Sequence, residues 1–100
     1  MHRWTDEDNL IAYCLYRLGN KEHTFGIEPR ELGQILGMGY NSLSIKVANF
    51  KSIAGAGGMD GYSRQAERIE RHYRDTSDSE LRLAGIQAVG RALDKYSNAT

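Results

Sequence analysis

Apolar residues recur with a helical period in five stretches of the chain. In the first, Leu10, Ile11, Cys14, Leu15 and Leu18 form one stripe. Thr5 is a good N-cap ahead of it, and Asp6, Glu7 and Asp8 fill the first turn, where the helix dipole favours negative charge. Gly19-Asn20 ends this helix, and Trp4, just before the cap, is expected to fold back on the stripe. Residues 20–27, NKEHTFGI, read as a loop or short extended segment. A second helix opens at Glu28-Pro29, with the proline at the first helical position, and turns Leu32, Ile35 and Leu36 inward before Gly37 closes it. The tight turn Gly37-Met38-Gly39-Tyr40 leads to Asn41, a fitting cap for a third helix through about Ala54, whose core stripe is Leu43, Val47, Phe50 and Ala54. After the glycine-rich segment GAGGMDG, Ser63 caps a fourth helix to about Arg74, with Ala66, Ile69 and Tyr73 inward. The spacing Ser77-x-x-Glu80 is a capping box for a fifth, with Leu81, Ala84, Ile86, Val89 and Leu93 inward and the tail SNAT frayed.

These elements predict an all-α fold, a small five-helix bundle containing a helix-turn-helix. At 100 residues the chain is one domain: a trihelical core over 4–54, a glycine-rich connection over 55–62 and a C-terminal helical pair over 63–96. The longest apolar runs are only a few residues, so no membrane span and no signal peptide are expected, and a cytoplasmic location follows by default. Thirteen basic residues balance thirteen acidic ones. A DNA binder of zero net charge must segregate its charges, because phosphate neutralisation supplies most of the sequence-independent affinity.

That segregation is visible along the third helix. No acidic residue falls between Glu31 and Asp60 in a chain that is 26% charged. Off the core stripe the helix carries Asn41, Ser42, Ser44, Ile45, Lys46, Asn49 and Lys51. Asn pairs bidentately with adenine, Ser bonds either base type, and Ile touches a thymine methyl. Lys46 and Lys51 suit phosphates. On the fourth helix Arg64, Arg68 and Arg71 form a basic stripe, with two readings. One is a solvated, salt-laced face, since Glu67 with Arg71 and Glu70 with Arg74 are i, i+4 pairs. The other has Arg64 and Arg68 flanking the DNA backbone beside the third helix.

Three segments, WTDEDNLIAYCLYRLG, ELGQILGMGYNSLSIKVANFKSIAG and GMDGYSRQAERIERHYRD, carry a family resemblance. Together they resemble the N-terminal DNA-binding domain that precedes the nuclease module in HNH-type restriction endonucleases. The matching positions are Trp4, Thr5, Leu36, Gly37, Ser42, Lys46, Asn49 and Phe50, then Gly61, Ser63 and Arg64. A looser likeness to Myb-type three-helix domains covers residues 4–54. The resemblance implies a module that reads target double-stranded DNA. The sequence departs from the family in having no nuclease module, so the module is expected to act with a separate nuclease as protein partner or as a small regulator. Met38 stands where the family has an arginine, which removes an expected phosphate contact.

No catalytic apparatus, cofactor or metal is expected. His2, His23 and His72 are scattered without metal-ligand spacing, Cys14 sits on an apolar stripe with no base near it, and GAGGMDG lacks the strand and lysine of a phosphate-binding loop. Tyr40, Tyr62, Tyr73 and Tyr96 could stack on bases or seal the core. Zero net charge also suits an alternative function: a protein-interaction domain, of the phage-inhibitor or adaptor type, that kept a DNA-binding fold.

Overall fold

The computed structural model describes residues 3–56 and 64–98, the side chains of 54–56 and 96–98 excepted. The described residues form six helices and no strand: α1 (Asp6–Leu18), α2 (Glu22–Phe25), α3 (Pro29–Ile35), α4 (Tyr40–Ala56), α5 (Arg64–Tyr73) and α6 (Asp78–Asn98). The Cα radius of gyration, 12.7 Å, is that of one body of this size.

α1 starts as its sequence dictates. The Thr5 hydroxyl accepts from the Asp8 amide at 3.1 Å, and the Asp8 carboxylate accepts from the Thr5 amide at 3.1 Å, a reciprocal capping box. The single stripe expected of this helix is too narrow, however. Every residue from Asp8 to Leu15 is buried, because α4, α5 and α6 all pack against α1. Asn9, Ala12 and Tyr13 are therefore interior, and Tyr13 meets Phe50 of α4 edge to face at 5.3 Å between ring centres. Trp4 packs on this core as expected.

The expected loop over 20–27 contains the one-turn helix α2. One turn is too short to show a hydrophobic period, and it is held from outside: Gly26, at φ 76°, closes it, and Arg82 of α6 donates to the Thr24 carbonyl at 3.0 Å. In α3 the buried positions are Pro29, Leu32, Gly33 and Leu36. Ile35, expected inward, falls off that face and is 43% exposed.

Gly37 and Gly39, at φ 82° and 81°, shape the turn from α3 to α4. The Met38 and Gly39 amides both donate to the Gly33 carbonyl, at 3.1 and 2.9 Å, and Met38 is buried beneath them. α4 begins at Tyr40, so Asn41 lies inside the first turn and is not the cap. The helix also passes Ala54 and reaches Ala56, so the expected connection is helical at 55–56. The rest of the glycine-rich segment and the Ser63 cap lie outside the described residues.

Ala66 and Ile69 of α5 are buried, Tyr73 is half-buried, and Glu70 is buried as well. Arg74 chelates Glu70 with Nε at 3.0 Å and Nη2 at 2.6 Å, the i, i+4 pair foreseen in the sequence. That hydrogen-bonded guanidinium holds the Glu70 carboxyl below the usual carboxylate range, against the opposing pull of burial. A folded pKa below the unfolded one adds stability that is complete above the unfolded value, about 4.3, and is lost as pH falls through the folded value. Glu70→Gln should cost about 1 kcal/mol at neutral pH and flatten the acid limb of melting temperature against pH. Thermal melts from acid to neutral pH check it, and an unchanged acid limb would assign the acid sensitivity elsewhere.

α6 opens at Ser77, whose hydroxyl accepts from the Glu80 amide at 3.3 Å. Its buried face is Leu81, Gly85, Ala88, Val89 and Ala92, while Ile86, expected inward, is 44% exposed. The reason is close approach. A Cβ on Gly85 would stand 2.6 Å from the Cys14 sulfur and 2.8 Å from Cε1 of Phe25, so α6 meets α1 through its smallest residues. Its last turn runs through Asn98, so Ser97 and Asn98 of the expected frayed tail are helical, and the other two residues of that tail lie outside the described residues.

Candidate nucleic-acid interface

α4 is the frame for most of the predicted contacts. Its inner side packs on α1, α3 and α5, with Leu43, Phe50 and Ile53 buried and Val47 against the core. α6 makes its main contact with α1. The outer side of α4 therefore faces solvent: Asn41, Ser42 and Lys51 are exposed, and Ile45 is 62% exposed. Ser44, Lys46 and Asn49 are half-buried along its edges. The helix holds no carboxylate, and Gly39, just ahead of it, offers no side chain to cap its first amides.

The cations around this face are not equally available. Lys46 places its ammonium 4.8 Å from the centre of the Trp4 ring, and burial pushes its pKa down. Lys51 and Arg64 are exposed. Arg68 is also exposed, yet it forms a 2.7 Å ion pair with Asp6 of α1. Asp6 accepts from Gln65 at 2.9 Å as well, and Gln65 in turn accepts from the buried Asn9 at 3.0 Å. Arg68 thus helps tie α5 to α1.

Sequence reasoning missed one cation. Arg30 of α3 lies over the Tyr40 ring, 4.7 Å from its centre, beside the first turn of α4, and its side chain is exposed. The two residues are ten apart on different helices, so no periodicity announces the contact. It places a positive charge near the end of α4 where Met38, now seen to be a core residue, supplies none.

Other chemistry is sparse among the described residues. An open cleft of about 260 Å³ lies between α1, α5 and α6, lined in part by Asp6, Glu7, Arg68, Ile69, His72 and Arg91. Its charges cancel in pairs, Arg68 with Asp6 and Arg91 with Glu7 at 3.5 Å. No group of three His, Cys, Asp or Glu residues capable of holding a metal occurs among the described residues. Cys14 is buried, donates to the Leu81 carbonyl at 3.5 Å, and has its thiol pushed up to about 12 by burial, which keeps it protonated and inert. No described helix is long and apolar enough to cross a membrane. Comparison of the chain with protein-family models, with curated proteins and with solved structures finds no match, so the outer face of α4 stands on its own chemistry.

Proposed function

We propose that the chain is a DNA-binding module in which α3, the glycine turn and α4 act as a helix-turn-helix, with α4 entering the major groove. The observation that carries this reading is the outer face of α4, where Asn41, Ser42 and Ile45 stand exposed on a helix without a carboxylate. Asn and Ser supply donors and acceptors for base edges, and Ile supplies a surface for a thymine methyl. Lys51, Arg30 and Arg64 hold phosphates on either side, while Lys46 contributes less than an exposed lysine because it rests on Trp4. Arg68 would have to leave Asp6 to join them, and it is assigned to the fold. The module supplies recognition, the part that the N-terminal domain plays ahead of the nuclease module in the HNH-type enzymes that the sequence resembles.

Fluorescence anisotropy on a random-sequence duplex, titrated across salt, tests the reading. Affinity should fall steeply with salt, and Lys51→Ala should reduce the slope of log K against log salt by about 1, the signature of one lost phosphate contact. Ser42→Asp, which sets a carboxylate on the exposed face, should reduce affinity at least about tenfold, or 1.4 kcal/mol. A chain that ignores duplex DNA at low salt would refute the proposal and favour the protein-interaction alternative, to which the zero net charge is better suited.

A further inference from the structure

Charge and chemistry are sorted across the outer face of α4. At about 100° per residue, Asn41, Ser42, Ala48, Asn49 and Ser52 all fall within about 60° of Ile45, a zone with neither a cation nor a carboxylate. Lys46 lies about 100° to one side of Ile45 and Lys51 about 120° to the other. Arg30 rests over Tyr40, which is about 140° away. The cations therefore line the rims, and the centre is left to Asn41, Ile45 and Ala48, all exposed. Ile45, at 62%, is the most exposed large hydrophobic side chain among the described residues.

In the major groove guanine is read mainly by Arg or Lys, and the cytosine amino group by Glu or Asp. None of these residue types stands in the central zone. Adenine is read bidentately by Asn, and the thymine 5-methyl group by apolar side chains. We propose that α4 selects A·T base pairs, with Asn41 on adenine and Ile45, beside Ala48, covering thymine methyls. Asn41 stands in the first turn, and the N-terminal part of a recognition helix is the part that reaches base edges. Ile45 follows it by four residues on the same side of the helix. This selectivity rests on the proposed DNA-binding role and adds to it the class of base pair preferred.

Fluorescence anisotropy on three duplexes that share their ends and differ only in the core tests it. One core is a mixed A·T sequence, one a mixed G·C sequence, and one the A·T core with deoxyuridine for every thymine. A mixed order avoids the narrow minor groove of A-tracts, which draws cations by shape. Uracil keeps the pairing and the minor-groove acceptors and lacks only the 5-methyl group. The chain should bind the A·T core at least about tenfold tighter than the G·C core. The uracil core should bind about fourfold more weakly than the A·T core for each methyl covered.

Ile45→Ala should remove most of the difference between the A·T and uracil cores and leave G·C binding and its salt slope unchanged. This variant should melt no lower than the parent, since the side chain is exposed and alanine is the better helix former. Asn41→Ala should lower A·T affinity about tenfold and keep the preference for thymine over uracil. A chain that binds all three cores alike would overturn the selectivity while leaving the DNA-binding role intact. A preference for thymine over uracil that survives Ile45→Ala would overturn it too, by placing the methyl contact elsewhere. A chain that binds none of the three at low salt would refute both the selectivity and the role it rests on.

Discussion

Gly33→Ala should destabilise the chain by about 2–3 kcal/mol, more than an added methyl usually costs on a helix. α3 carries Gly33 on its buried face, and a Cβ there would stand 2.9 Å from both the carbonyl carbon and oxygen of Gly39 and 3.0 Å from the Tyr40 amide nitrogen. Those atoms are backbone, so no side-chain rotation relieves the clash. They also belong to the turn that holds Gly33 itself, since the Met38 and Gly39 amides both donate to its carbonyl. The methyl gains helix propensity worth up to about 1 kcal/mol and loses more by prising the turn from the helix. Urea unfolding gives the number directly. Gly90→Ala is the control: with open space around it, it should stabilise by about 0.5–1 kcal/mol. Because the turn sets where α4 begins, the loss at Gly33 should also lower duplex affinity under the proposed function. A neutral Gly33→Ala would show that α3 and α4 do not approach as described.

Arg17→Ala should cost about 3 kcal/mol, although its head group sits near the surface. The guanidinium of this α1 residue donates to the Tyr73 carbonyl at 3.0 Å, the Thr76 carbonyl at 3.0 Å and the Asp78 carboxylate at 2.7 Å. It supplies donors to carbonyls at the C-terminal end of α5 and just beyond it, and reaches the first residue of α6 in the same gesture. Its charge also lies 5.7 Å from the centre of the Tyr13 ring. Asp78 is 73% exposed, so Asp78→Asn should cost under about 1 kcal/mol. Most of the Arg17 effect therefore belongs to the two carbonyls. Arg17→Lys keeps the charge but cannot fork between them, and should recover less than half the loss. Unfolding midpoints for the three variants, with hydrogen exchange at the α5–α6 turn, decide the matter. Equal losses for Arg17→Ala and Asp78→Asn would move the contribution to the ion pair.

Much of this was written locally in the chain. Thr5 capping Asp8, Pro29 opening α3 and Ser77 opening α6 are contacts across three or fewer residues, and they follow from side-chain chemistry and the geometry of a helix end. The acid-free run around α4 and the alternation of its inner and outer residues were legible for the same reason. Asn41, Ser42 and Ile45 share a face because a helix has a fixed period, whatever surrounds it. Availability was not legible: Lys46 is held by Trp4 and Arg68 by Asp6, partners more than forty positions away.

Five of the six described helices, the starts of α1, α3 and α6 and much of the outward chemistry of α4 were thus determined by the sequence alone, since each depends on neighbours within a turn or two. The tertiary structure decided which faces are buried. It buried α1 on every side from Asp8 to Leu15, hid Glu70, and turned Leu83 and Ile86 outward. Hydrophobicity could not foretell that last choice, because α6 approaches α1 through Gly85, Ala88 and Ala92, where small size matters more than greasiness. Close packing between helices is a property of two surfaces meeting, and neither surface is written within a single stretch of chain.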